Sequence, residues 1–198
     1  MKLFIMSALV AAGMLFGICS VEAKTYYISS SGGNDNWNGL AENHAGFNGP
    51  WKSLTHKDIT FGPGDRILLK CGDTWDDMLR LKGSGTAKNP ILIGSYGKGP
   101  KPIIDRQDYN KDLMGIHLYN QGGIKIVGIE FNRCQTGIFA EYAKTCPTQN
   151  FVWIEDCYFH DSLLYGNYKT YPKPRNIGLG ICFFSHDRAN RFVLTDMM

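Results

Sequence analysis

The sequence lacks the marks of several large classes. Its net charge is only +3, from 21 Lys and Arg against 18 Asp and Glu, and it has no basic run; a polynucleotide partner is therefore disfavoured. None of its six cysteines forms a C-x-x-C pair, which argues against a zinc site. No amphipathic segment of helix length occurs from residue 62 to the end, which excludes a βαβ parallel sheet. The one long apolar run, Leu3 to Ile18, is about 16 residues where a membrane span needs roughly 20, so no retained span is expected. With 43% hydrophobic and 20% charged residues the chain is neither disordered nor fibrous, and 198 residues suffice for one cored domain but hardly for two.

What is present begins with a leader. Met1-Lys2, the apolar run and Val21-Glu22-Ala23 read as a secretory signal over residues 1–23. A lipid anchor on Cys19 is the alternative, but Phe16-Gly17-Ile18 fits a lipobox poorly. The mature chain is expected to start near Lys24 and to be secreted or periplasmic. Cys71, Cys134, Cys146, Cys157 and Cys182 then remain, an odd number that leaves a free thiol or an intermolecular bond. Cys157 falls at an inward position of a strand pattern, and bridges from Cys146 to Cys134 or Cys157 stay open.

Residues 24–65 read as an N-terminal capping module: a β-rich Thr25–Ser29, a turn-rich Ser31–Gly39, a short helix within Trp51–Ile59, and a turn at Gly62–Asp65. Short strands follow, at Arg66–Lys70, Met78–Leu81, Pro90–Ile93, Pro102–Asp105 and Gly115–Leu118. A repeat then selects the architecture. Ile124, Ile126, Ile129 and Phe131 return 28 residues on as Val152, Ile154, Cys157 and Phe159, and a further 40 on as Phe192, Leu194 and Met197. Thr136-Gly137-Ile138-Phe139 is echoed by Leu179-Gly180-Ile181-Cys182, with the glycine expected to bend the chain. Such a ladder predicts an all-β solenoid, a right-handed parallel β-helix whose coils occupy residues 66–198.

The quoted residues Tyr26–Ser29, Gly33-Asn34-Asp35, Pro50-Trp51-Lys52-Ser53-Leu54, Pro63-Gly64-Asp65, Lys82–Ile91, Tyr96-Gly97 and Pro102–Asp105 resemble the opening of secreted bacterial β-helix proteins of the pectate lyase-like superfamily. The resemblance spans residues 25–198. It implies a carbohydrate-active protein, a polysaccharide lyase above all, with a β-helix glycoside hydrolase or a non-catalytic carbohydrate-binding module as alternatives.

Candidate residues follow from that chemistry. A lyase neutralises a uronate and removes the neighbouring proton, so His160-Asp161 and His186-Asp187-Arg188 stand as base and partner, or else as plain turn residues. His117, alternating with Ile116 and Leu118, faces outward and can line a groove. The twelve-residue insertion that lengthens the second spacing carries Tyr165, Tyr168, Lys169, Tyr171, Lys173 and Arg175, a composition suited to an acidic polysaccharide or simply to a solvated loop. Asp156 and Asp196 share a frame position and either bind calcium together, serve as the acid and base of a hydrolase, or cap turns. Finally, Arg191–Met198 enters another frame and stops within it. The expectation is a portion of a longer β-helix, open at its C-terminal end and prone to self-association there.

Overall fold

The computed structural model describes residues 22–55, 59–107, 113–143, 151–162 and 179–185. In chain order the strands are β1 (Thr25–Ile28), β2 (Arg66–Lys70), β3 (Thr74–Trp75), β4 (Leu79–Arg80), β5 (Ile91–Tyr96), β6 (Ile103–Asp105) and β7 (Met114–Tyr119). They continue as β8 (Ile124–Val127), β9 (Glu130–Asn132), β10 (Thr136–Tyr142), β11 (Val152–Glu155), β12 (Tyr158–His160) and β13 (Leu179–Ser185). They build three sheets: sheet A in the order β1-β2-β5-β8-β11, sheet B as β3-β6-β9-β12 and sheet C as β4-β7-β10-β13. Every ladder pairing is parallel. From β2 onward the chain visits A, B and C in turn, so each strand pairs with its counterpart one lap away.

The repeat in the sequence is the register of these sheets. Ile124 lies beside Val152 and Ile126 beside Ile154 in sheet A, and Phe131 lies beside Phe159 in sheet B. In sheet C, Thr136 pairs with Leu179 and Ile138 with Ile181, as the echoed tetrapeptides predict. Alternation sends one side chain in two to the interior, and the inward files are aliphatic. Ile67, Ile91, Ile93, Ile116, Ile124, Ile126 and Ile138 are all wholly buried. Each such burial contributes about 1.5–3 kcal/mol before chain entropy is subtracted, so the files are the main cohesion between laps.

Two sequence expectations are corrected. No helix forms at Trp51–Thr55, and residues 56–58 lie outside the described residues. Trp51 instead pairs with β1, donating to Tyr27 O and accepting from Ser29 N. A helix starting at Trp51 would have the Thr55 amide donate to Trp51 O, but that carbonyl accepts from Ser29 N and the Thr55 amide is held by Asp77, while the Asp35 carboxylate takes the Lys52 and Ser53 amides and the Ser53 hydroxyl. Gly137, expected to bend the chain, lies within β10. A Cβ there would sit 2.5 Å from Phe159 Cδ1, and one on Gly115 in the lap before would sit 2.6 Å from Phe131 Cδ1. These glycines make room for the aromatic file of sheet B. The bends fall at left-handed corners, Gly128 (φ 69°) and Asp156 (φ 51°) between A and B, Arg133 (φ 52°) and Asp161 (φ 48°) between B and C.

Ahead of β2 the chain packs at the β1 edge of sheet A. Tyr26 stacks on Trp51, their centroids 5.1 Å apart, and meets Phe61 edge-on. Buried Asp73 accepts hydrogen bonds from the Ser29 and Ser31 hydroxyls, both 2.7 Å, and from the Ser31 amide. Asp65 receives Lys24 N and Gly62 N. The thiols of Cys71, Cys134, Cys157 and Cys182 are free, and Cys157 packs against the core as its frame position predicts; Cys146 and both bridges proposed for it lie outside the described residues.

Candidate functional site

The outward face of sheet C gathers the most varied chemistry among the described residues. Register places Arg80, His117, Phe139 and Cys182 in one row, and Tyr119, Glu141 and Phe184 in the next. Each alternates with an inward Ile, Leu, Ala or Phe, so strand pairing alone turns these side chains outward. His117 stacks on Phe139 with centroids 5.5 Å apart and planes 28° from parallel. Its Nε2 stands 3.6 Å from Glu141 Oε2, an ion-pair distance beyond hydrogen-bond length, and both side chains are about one-fifth exposed. Tyr119 and Phe184 are close to half exposed. A histidine and a carboxylate side by side, between exposed rings and near a guanidinium, can bind hydroxyl groups and exchange a proton with one of them.

His117 is thus outward, as its alternation predicts. Glu141, Phe139 and Tyr119 were missed, although the same alternation, continued through β7 and β10, places all three on that face.

His160 and Asp161 do meet: His160 Nδ1 is 2.9 Å from Asp161 Oδ2. Its Nε2 is also 2.9 Å from Oε1 of Glu130, one lap back. With a carboxylate on each nitrogen, the setting favours the doubly protonated ring, which can donate from both. Hydrogen bonds that the ring donates to Asp161 first and then to Glu130 hold its pKa above the usual histidine value. Tyr158 covers the ring, centroids 4.7 Å apart. A histidine so clamped ties one lap to the next, and Glu130 was the partner missed.

Asp156 sits at a left-handed corner with Lys101 Nζ at 2.9 and 3.0 Å from its two oxygens. An ammonium shared by both carboxylate oxygens fits a cation's place badly, and no calcium step is derived from it. Its expected partner Asp196, the cluster His186, Asp187 and Arg188, and the loop residues Tyr165, Tyr168, Lys169, Tyr171, Lys173 and Arg175 lie outside the described residues, as do the frame Phe192, Leu194 and Met197 and the leader 1–21. A separate recess of about 390 Å³ between the capping module and the first lap is lined by Ile28, Trp51, Leu54, Ile59, Phe61 and Leu79 among others, with no carboxylate.

No family model matches the chain. A lacto-N-biosidase of Bifidobacterium longum subsp. longum is 44% identical over 87 residues, which are 40% of this chain and 5% of that protein. Two crystal structures of the GH136 lacto-N-biosidase from Eubacterium ramulus, a selenomethionine derivative and the native protein, superpose with a TM-score of 0.63 each. They are 28% and 27% identical and cover 82% of this chain, which spans 30% and 31% of theirs. The chain therefore spans less than a third of these solved relatives.

These likenesses overturn the resemblance to the pectate lyase-like superfamily and the lyase chemistry it implied: the proteins this chain is similar to are lacto-N-biosidases. The physical reason is visible in the capping module. Asp35, Trp51 and Asp65, among the residues that carried the resemblance, spend their polar groups on nearby backbone: Trp51 Nε1 donates to Trp37 O, Asp35 accepts from the Lys52 and Ser53 amides, and Asp65 accepts from Gly62 N. They report how a chain begins a stack of parallel strands and say nothing of bond cleavage. Among the described residues no helix is long and apolar enough to cross a membrane.

Proposed function

We propose that this chain is an exported, carbohydrate-acting protein of the glycoside hydrolase kind, a relative of the lacto-N-biosidases, which binds an oligosaccharide across the outward face of sheet C. The single observation that carries the reading is the 44% identity to the Bifidobacterium lacto-N-biosidase. The lap-by-lap order of sheets A, B and C supports a right-handed parallel β-helix over residues 66–198, capped by 24–65, because parallel crossovers are right-handed in nearly all proteins. On this reading Glu141 is the group that holds or delivers the proton at the glycosidic oxygen. The rings of Tyr119 and Phe184 meet the apolar faces of the sugar.

A second reading, a glycan-binding module without catalysis, is favoured by one feature. Glycoside hydrolysis uses two carboxylates, and among the described residues of this face Glu141 is the one present. An aryl β-lacto-N-bioside, with release of the aryl alcohol followed by absorbance, separates the two. Hydrolysis that Glu141→Gln lowers by about 100-fold or more supports the enzyme. Binding of lacto-N-biose without release supports the module, and neither result removes both.

A further inference from the structure

We propose that the hairpin tip of the capping module, Phe47 with the asparagines framing it, is a second glycan contact that takes neutral pyranose rings. The choice of a sugar as ligand rests on the carbohydrate reading above; the site itself rests on the loop.

Ala45 and Asn48 exchange both backbone hydrogen bonds, at 2.9 and 3.0 Å, leaving Gly46 and Phe47 as a two-residue tip. Gly46 takes φ +63°, a left-handed conformation that such a tight turn requires. The phenyl ring at the summit is 77% exposed, more than any other large apolar side chain among the described residues. Folding gains nothing from leaving it in water. The tip is nonetheless well framed. Asn38 N donates to Phe47 O, Asn38 Nδ2 donates to Asn48 Oδ1, and Gly39 N donates to Gly49 O. Beneath it Trp37 stacks on His44, centroids 4.1 Å apart and planes 13° from parallel. The indole also lies against Gly49, where a Cβ would come within 2.3 Å of Trp37 Cε3. The loop is thus ordered before any ligand arrives, which removes one cost of binding.

Its chemistry selects the ligand class. From Asn36 to Gly49 the formal charge is Glu42 alone, while Asn38 and Asn48, joined across the hairpin, supply amides at the tip. An apolar ring with amides beside it matches a pyranose, which presents a C–H face and a rim of hydroxyls; amides both donate to and accept from such hydroxyls. An anionic polymer finds no cation between these residues to pair with.

The test uses the full chain with the Phe47 ring isotopically labelled, titrated with lacto-N-biose, lactose and, as an anionic control, polygalacturonate. The expected result is a saturable shift of the Phe47 ring signals with a neutral sugar, weakened about fivefold or more by Phe47→Ala in overall binding and kept by Phe47→Trp. Glu141→Gln leaves that shift in place, so failure of the hydrolase reading and failure of this one are told apart. No Phe47 response to either neutral sugar overturns the proposal, as does a stronger response to polygalacturonate. Sedimentation showing self-association that Phe47→Ala abolishes overturns it too, and makes a second copy of the chain the occupant.

Discussion

The ring of Phe159 lies flat on that of Phe131, centroids 4.8 Å apart and planes 5° from parallel. The two residues are one lap apart in sheet B, and the space they fill exists because the facing strands of sheet C carry Gly115 and Gly137. An aromatic file and a glycine file are thus a single packing device, written in two separate stretches of the sequence.

Gly137→Ala is expected to destabilise the chain by about 1–3 kcal/mol, because its Cβ meets a ring and the Gly180 carbonyl, neither of which can withdraw cheaply. Gly94→Ala, whose Cβ meets only leucine side chains at 3.6 Å and beyond, is the control and is neutral or slightly stabilising. Urea unfolding of the two variants distinguishes packing from chain entropy; equal effects would refute the role given to Gly137.

The Glu130–His160–Asp161 tie makes stability depend on pH. The folded chain holds His160 above the ordinary histidine value, through Asp161 first and Glu130 second. Its contribution is complete below the unfolded value of about 6.5 and is lost as pH rises through the folded value. Imidazole NMR shows the raised titration directly. Thermal midpoints across that window fall with pH in the wild type and flatten in His160→Gln; a histidine titrating at its ordinary value would rule the tie out.

Asp73 predicts the opposite slope. Burial by itself raises its pKa, but the Ser31 and Ser29 hydroxyls, the Ser31 amide and the nearby Lys70 charge more than compensate and hold it below the carboxylate norm. Its stabilisation is complete above about 3.9 and is lost as pH falls through the folded value. Asp73→Ala costs about 2 kcal/mol or more, since it strands two hydroxyls and an amide, and Ser29→Ala costs about 1 kcal/mol. Unfolding at neutral pH with both variants equally stable would show the clasp to be idle.

Burial pushes the Cys134 thiol up to about 12. In the native chain Cys134 should resist iodoacetamide at mildly alkaline pH and become alkylated only on unfolding, because the thiolate is the nucleophile. Mass-spectrometric mapping with and without urea reads this out, and rapid native labelling of Cys134 would contradict it.

Strands of four or more residues announced themselves by alternation, and most of the positions called inward by that reading are inward. β3, Thr74–Trp75, was invisible because it stands in no apolar or alternating run, whereas the equally short β4 lies within one. The Trp51–Ile59 segment misled because its apolar spacing suits a helix, while the acids that take its amides, Asp35 and Asp77, lie elsewhere in the chain. Of the candidate site, His117 was legible because its neighbours alternate. Glu130 as the second partner of His160 was not, because no local pattern links residues a lap apart.

The sequence by itself determined which residues share a file. Parallel pairing sets equivalent residues of two laps side by side, so the frame shared by Ile124 and Val152 is the register itself. Only the tertiary structure decided what the outward side chains do. Whether a histidine beside an aspartate is a base or a tie depends on what occupies its other nitrogen, and that carboxylate comes from the neighbouring lap, where packing and not sequence order sets the neighbours.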